Sequence, residues 1–490
     1  FENSNAIAGL RFESARELEE PAGRKKLFSE IRRYRFDPSQ TTTVAVGKQV
    51  TAQNYHPYTE PGARKQKFPS LRVVSLDYRR GEIELELKFA EYDMPDPTAI
   101  FINEQYPKDA FIERLQQIAR AVLEGKESDF GATIKLLKRQ PTQLQEGSAP
   151  IGDVATERGW RDMTNIVKAL DSSTLAVQGP PGTGKTYSAA NMILELVNQE
   201  KRVGITAHTH NAVGQLIDEI VKHAGDHGFT GTQPVAVIVG TGEPDSESEA
   251  GSPVMIARRK ENPKVAKEQS RYQIVAGTSY LFSREEMRNS VDVLFVDEAG
   301  QLSLADTLAV SLATKDLVLV GNPQQLKQPT KAAHPGESGL SALEYINRGR
   351  DVVPEGYGIL LSTTKRMHPE ITKFVSEQVY EGKLHSAPGL EHQALSGTDW
   401  LAGSGLRWWP VEHFGRTTVA PEEVDCVVET FYSMLDREFT DKDGMKSKIT
   451  PNDVFLIAPY NAQRSEILRR LEAHTDAEKY GITYDSMRNR

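Results

Sequence analysis

Cysteine is nearly absent from the 490 residues. Cys426 stands alone, which excludes an internal disulfide and a cysteine-held zinc or iron–sulfur site within the chain and fits a reducing compartment. Long apolar runs are absent too: none approaches the roughly 20 residues that a membrane helix needs, so no transmembrane segment is expected and the cytoplasm is the expected location. Positive charge is not in excess. With 59 Lys and Arg against 68 Asp and Glu the formal net charge is −9, which denies any global attraction to phosphate backbones. Two local clusters remain candidates for such contact, Arg24, Lys25, Lys26 and Arg32, Arg33, Arg35, although such clusters are more often solvated faces. No repeat of fixed period occurs. The one low-complexity interruption, 243–253, is rich in Ser, Glu and Gly and reads as a surface loop.

What is present is ample material for burial, 38% hydrophobic against 26% charged, in a chain long enough for about two to four domains. Residues 1–33 are expected to be a helical or linker segment. From 34 to 105, short alternating runs (43–46, 71–76, 82–89) punctuated by Gly and Pro suggest a small β-barrel. Phe111, Leu115, Ile118 and Val122 then recur at helical spacing, predicting a helical stalk and linker over 106–150. Beyond it, apolar runs at 174–177, 203–206, 235–239, 274–276, 293–296 and 317–320 alternate with helical stretches. That alternation predicts an α/β domain over 151–348 with a helix-covered parallel sheet. A second such domain is expected over 349–490, with strands at 359–361 and 454–457.

The most specific motif follows the first of those strands: Gly179, Pro180, Pro181, Gly182, Thr183, Gly184, Lys185 and Thr186. Glycines at these positions let backbone N–H groups converge on phosphates at a helix N-terminus, Lys185 can reach the β and γ phosphates, and the Thr186 hydroxyl can ligate magnesium. The pattern is that of a P-loop NTPase using ATP. A second strand, 293–296, delivers Asp297 and Glu298 to the same sheet edge, where ligands of open α/β sheets bind. Asp297 is the candidate magnesium holder and Glu298 the candidate that polarises the attacking water. An acidic pair after a strand is common surface decoration; its sheet-mate phosphate loop is what gives it meaning. His208 and His210 lack acidic or cysteine companions at metal-ligand spacing.

Further blocks resemble superfamily 1 helicases of the 5′-to-3′, Upf-like branch. Gly321-Asn-Pro-Gln-Gln325-Leu326 is similar to the Gly-Asp-Pro-x-Gln-Leu motif, which implies that Gln325 senses the γ-phosphate. Arg366-Met-His-Pro-Glu-Ile371 resembles the Tyr-Arg-Met-His-Pro block, which implies an arginine finger at Arg366 from the second of two tandem RecA-like domains. Ala207 to Leu216 resembles the motif Ala-Pro-Ser-Asn-x-Ala-Val-Asp-Gln-Leu, Thr278 ends a strand like the family's strand-gripping threonine, and Pro459-Tyr460-Asn461-Ala462-Gln463 resembles a block of the second motor domain. Thr209, Thr278, Tyr460 and Asn461 are therefore the implied nucleic-acid contacts, each with a local helix cap as the bland alternative.

The resemblance covers about residues 160 to 465 in motif order and is nearest to helicases fused to a RecB-like nuclease, through Arg33-Tyr-Arg-Phe, Leu406-Arg407-Trp408 and Val411-Glu412-His413. It implies ATP-driven movement along single-stranded nucleic acid, DNA in preference to RNA, with a nuclease domain outside this chain. An RNA helicase, an ATP-gated module controlling a nuclease without unwinding, and a degenerate binding scaffold are the alternatives. Four departures stand out: Asn322 replaces an aspartate, Lys365 replaces a tyrosine that stacks on adenine, Arg161 takes the approximate place of an adenine-reading glutamine, and the Gly-Thr-Val-x-x-x-Gln-Gly-Gln block with the second arginine finger is not reached. The chain begins at Phe1 without a basic-then-apolar signal and stops at Arg490, so both ends are expected to be cuts and the second motor domain incomplete.

Overall fold

The computed structural model describes residues 6–17, 28–38, 40, 42–53, 70–78, 80–89, 95–102, 108–149, 151, 159–229, 235–240, 254–259, 261–325 and 335–488. Arg24, Lys25 and Lys26 and the segment 243–253 lie outside them. The chain divides into two compact units, residues 1–106 with 408–437 and 448–490, and residues 107–407 with 438–447.

In the first unit, strands β1 (Ala6–Ala8), β2 (Arg11–Glu17), β3 (Phe28–Arg35), β4 (Gln49–Ala52), β5 (Ser70–Asp77), β6 (Glu82–Phe89) and β7 (Ala99–Phe101) form an antiparallel sheet in the order β1-β7-β4-β5-β6-β3-β2. Two expectations are corrected here. The stretch 1–33 carries strands rather than a helical linker: Arg11–Glu17 runs Arg-Phe-Glu-Ser-Ala-Arg-Glu and pairs antiparallel with β3, its short-range polarity hiding a strand whose outer face is ionic. The 43–46 run is not a strand, although Val44 is buried, and edge strands β1 and β2 are not paired with each other among the described residues, so closure into a barrel is not shown. The interior packs Ile7, Tyr34, Val50, Leu71, Val73, Ile83, Leu85, Leu87 and Ile100. On the outer face the arginine cluster is spoken for: Arg33 pairs with Glu84 at 2.8 Å, Arg35 with Glu13 at 2.5 Å and Arg32 with Asp96 at 3.0 Å. Those cations are solvated ion pairs of low individual worth, not a bare phosphate-binding patch.

The second unit opens with α1 (Asp109–Leu123), ended by Gly125 in a left-handed conformation, φ +70°, and α2 (Gly131–Leu137). The expected stalk is instead packed on the core: Ile118 and Ala121 join its apolar cluster, and the buried guanidinium of Arg114 donates to the Ser283 carbonyl at 3.2 Å and pairs with Glu285. The core proceeds through α3 (Trp160–Lys168), β8 (Thr174–Gln178), α4 (Lys185–Asn198), β9 (Val203–Ala207), α5 (His210–Ala224), β10 (Val235–Val239), β11 (Met255–Arg259), α6 (Asn262–Glu268), β12 (Ile274–Thr278), α7 (Ser279–Phe282), β13 (Val291–Val296), α8 (Leu304–Ser311), β14 (Thr314–Gly321), α9 (Ala342–Asn347), β15 (Gly358–Leu360) and α10 (Pro369–Val379). All eight strands are parallel, in the order β11-β10-β12-β9-β13-β14-β8-β15. Their period of two fills two layers. Leu294, Val296, Leu317 and Leu319 face one cluster, whereas Val293, Phe295, Val318 and Val320 face the other with α4 and α5.

Strand β15 lies just beyond the expected boundary at 348–349. It pairs with β8 in this first sheet, and a Cβ on Gly358 would stand 2.1 Å from the Ala176 carbonyl oxygen, so only glycine permits that approach. The remaining helices, α11 (Pro421–Met434), α12 (Asn461–Ala473) and α13 (Tyr484–Arg488), belong to the other unit and enclose Val424, Phe431, Ile467 and Leu471. The expected strand at 454–457 does not form. Its alternation survives, Val454 and Leu456 packing on the helices while Phe455 and Ile457 are exposed, but no neighbouring strand is there to pair with it among the described residues. None of the helices is long and apolar enough to cross a membrane.

Candidate ATP-binding site

Strand β8 ends on Gln178, which is wholly buried and fixed at both ends of its amide: it donates to the Asp351 carbonyl at 2.8 Å and accepts from the Val353 N–H at 2.7 Å. From that anchor the loop 179–184 turns into α4. Gly182 and Gly184 take φ of +77° and +80°, the left-handed region that side chains resist. Gly179 N–H donates to the Gly321 carbonyl at 2.9 Å, tying the loop to the end of β14. The Lys185 ammonium curls back onto the Gly179 carbonyl at 2.7 Å. Burial lowers the pKa of Lys185, while the carboxylates of Glu298 and Asp297 oppose that shift.

Those carboxylates arrive from β13. Asp297 is 5% exposed; its N–H donates to the Thr206 carbonyl at 2.8 Å and its Oδ1 accepts from the Glu298 N–H at 2.9 Å. Burial first, and then the neighbouring Glu298 charge, push its carboxyl up to about 6. Glu298 sits at φ +50°, strained for a residue with a Cβ. Its Oε2 is enclosed and accepts no hydrogen bond. A buried carboxylate oxygen without a donor costs free energy unless a ligand, water or ion meets it, so strain and desolvation are concentrated at the group that the sequence marks for chemistry.

Asn322 is explained by its surroundings. Its Nδ2 donates to the Tyr380 hydroxyl at 2.9 Å and its Oδ1 accepts from the Gln324 N–H at 3.3 Å, at 2% exposure. An amide thus serves one acceptor and one donor without burying a charge. A Cβ on Gly300 would lie 2.3 Å from the Asn322 carbonyl oxygen, so the segments following Asp297-Glu298 and Gly321 run backbone against backbone. Gln325, half-buried, bonds back to the Asn322 carbonyl at 3.4 Å.

The arginine block is clasped onto the phosphate loop. Thr364 Oγ1 donates to the Pro181 carbonyl at 2.9 Å and Lys365 N–H to the Gly182 carbonyl at 2.8 Å. A Cβ on Gly182 would meet the Arg366 Cβ at 2.4 Å. Arg366 therefore stands beside the loop, within the same compact unit as the P-loop. Thr364, Tyr380 and Gln178 were not legible as site residues; their roles are backbone anchoring over long sequence separations, which leaves no local pattern.

The expected nucleic-acid contacts fall in both units. Thr209 caps α5, accepting from Ala212 N–H at 3.2 Å, which is its bland role. Thr278 ends β12 in register with Ala207 at the end of β9, so the two threonine-bearing segments share one sheet edge. Tyr460 is half exposed and Asn461 begins α12, both in the other unit.

Comparisons with known proteins agree with this geometry. Residues 163–330 and 351–487 each match an AAA-domain family model. The ATP-dependent helicase upf1 of Schizosaccharomyces pombe is 24% identical over 64% of this chain and 37% of its own length. The chain belongs to the superfamily 1, Upf1-like helicases. Among the relatives of this Upf1-like chain, the Neurospora crassa regulator of nonsense transcripts 1 homolog is 23% identical over 80% of the chain and 39% of its own length, and the Xenopus laevis DNA replication ATP-dependent helicase/nuclease DNA2 is 27% identical over 44% and 20%. The chain thus spans well under half the length of the curated relatives it matches.

The donor set fits magnesium: a hydroxyl at Thr186 and a carboxylate at Asp297 are hard oxygen ligands, few enough to leave room for phosphates and water. No cluster of three or more His, Cys, Asp or Glu that could make an all-protein cage occurs among the described residues. One consequence concerns pH. Because the folded state raises the Asp297 carboxyl from 3.8 to about 6, folding without nucleotide is penalised once pH exceeds 3.8, and fully so above 6, by about 3 kcal/mol. Asp297→Asn keeps the acceptor for Glu298 N–H and removes that penalty. Calorimetry should show the variant melting several degrees above the parent at pH 8 and level with it near pH 4; equal melting at pH 8 would contradict the burial argument.

Proposed function

We propose that the chain is the ATP-hydrolysing motor of a helicase that tracks 5′ to 3′ along single-stranded nucleic acid, DNA in preference to RNA. The observation that supports this reading is the clasp of residues 364–366 on the phosphate loop, which brings Arg366 near Lys185, itself near the Asp297–Glu298 pair. Such a site serves phosphoryl transfer to water. Backbone N–H groups of 182–186 and Lys185 hold the phosphates, Glu298 accepts the proton of the attacking water, Gln325 orients at the γ-phosphate, and Arg366 neutralises charge on the transferring oxygens. Thr186 and Asp297 would hold magnesium, which when bound would supply charge neutralisation to the phosphates. Thr209, Thr278, Tyr460 and Asn461 are the proposed contacts to the strand. The choice of DNA, and of a nuclease partner outside this chain, rests on the resemblance to nuclease-fused helicases and on the helicase/nuclease among the relatives.

The test is steady-state ATPase of the natural full-length protein with single-stranded DNA, single-stranded RNA or no polymer, beside Lys185→Ala. DNA should stimulate turnover most, and the variant should lose it. Stronger stimulation by RNA would overturn the track; turnover indifferent to both would replace the motor with an ATP-gated module.

A further inference from the structure

We propose that a cavity at the far edge of the eight-stranded sheet binds inorganic phosphate, at a site that shares no residue with the nucleotide site. The cavity measures 210 Å³ and lies where three strands begin: Ser172 precedes β8, Asn289 precedes β13 and Thr314 opens β14. The phosphate loop, Asp297 and Gly321 stand at the other ends of the same strands. Its walls are fixed in advance. Asn289 N–H donates to the Leu312 carbonyl at 3.0 Å, and a Cβ on Gly131 would stand 2.7 Å from the Ser172 Cβ, so residues 130–131 press against the 172 turn. Thr133 and Thr314 spend their hydroxyls within the wall, on Ser311 at 2.8 Å and on the Asp292 and Asp316 carbonyls at 2.9 Å.

The rest of the lining keeps its polar groups unspent. The Lys315 ammonium forms no ion pair among the described residues, nor does the Arg288 guanidinium, which lies over the Phe130 ring at 5.1 Å. Glu285, whose charge Arg288 feels, is bonded to Arg114. The Ser128 and Ser172 hydroxyls and the Asn289 amide make no side-chain hydrogen bond among the described residues. Two cations with hydroxyl and amide donors around one small cavity suit a tetrahedral oxyanion, which takes charge-assisted hydrogen bonds on several oxygens.

Asp129 chooses among such ions. Its carboxylate lines the same cavity, likewise outside any ion pair among the described residues, and an ionised carboxylate only accepts hydrogen bonds. It therefore repels sulfate, which carries no proton, and accepts from the P–OH that inorganic phosphate keeps at neutral pH. A phosphomonoester loses that proton above its second pKa of about 6. Two cations and one acceptor thus fit free phosphate.

The test is titration calorimetry of the full-length protein at pH 8, with the nucleotide site filled by magnesium and a non-hydrolysable ATP analogue. The parent should bind inorganic phosphate saturably, and sulfate and glycerol 2-phosphate much more weakly. Arg288→Gln and Lys315→Gln should each weaken phosphate by about 10-fold or more, and Asp129→Asn should admit sulfate. Both cations are at the surface, and Lys315 packs on no ring or ion-pair partner, so its variant is expected to fold as the parent does. Absence of saturable phosphate binding, phosphate binding unchanged in Lys315→Gln, or sulfate bound by the parent as well as phosphate would each overturn the site. Glycerol 2-phosphate bound as tightly as phosphate would overturn the assignment to the free ion.

Discussion

Arg366→Ala is expected to lower single-turnover ATP hydrolysis by about 10³- to 10⁵-fold, with ADP affinity changed little. The asymmetry follows from where charge appears. In the ground state Lys185 and the loop N–H groups already meet the phosphates. In the transition state charge spreads onto the oxygens of the transferring group, and the guanidinium is needed there. The clasp makes the residue a strong candidate: with Thr364 bonded to Pro181 and Lys365 to Gly182, the backbone of 366 is fixed relative to the loop before nucleotide arrives, so little ordering entropy remains to be lost. Arg366→Lys should recover only a small part of the rate, since a point charge lacks the planar fork. A loss of only a few fold, or a matching loss of ADP affinity, would reduce Arg366 to a structural residue.

The phosphate loop and the acidic strand were legible because each is local. The loop is eight consecutive residues, and 293–296 is a buried run that could only be a strand followed by Asp297 and Glu298. The period-two alternation that splits Leu294 and Val296 from Val293 and Phe295 is likewise written in adjacent residues. What escaped depends on partners far away in sequence. The run 359–361 carries the pattern of a first strand of a second sheet, whereas 358–360 pair with β8 in the first, where Gly358 fits closely on Ala176. Strand β2 was missed because its ion pairs with residues some 20 to 70 positions later make a polar segment look like a linker. Asn322 looked like a defect until Tyr380, 58 residues on, proved to be its hydrogen-bond partner, letting a neutral amide fill the buried position.

Glu298→Gln should bind ATP as the parent does and hydrolyse it about 10²- to 10⁴-fold more slowly, the range general-base removal produces. The substitution is nearly isosteric, so the strained φ of +50° is neither relieved nor worsened, and the Asp297 carboxyl keeps its bond from the 298 N–H. Only proton acceptance is lost. The same change removes a like charge from beside Asp297. The Asp297 carboxyl should then titrate below its present value of about 6, although burial, the larger cause, still holds it above 3.8. Two readouts therefore belong together: trapping of uncleaved ATP on the variant, and a higher melting temperature at pH 8 without nucleotide, because the like charge beside the buried Asp297 carboxylate is gone. Stabilisation with unchanged turnover would mean that the buried carboxylate is strained for some other purpose and that water is activated elsewhere. Slow turnover with stabilisation would place catalysis and strain on the same atom, as expected where a fold gives up stability to hold a base ready.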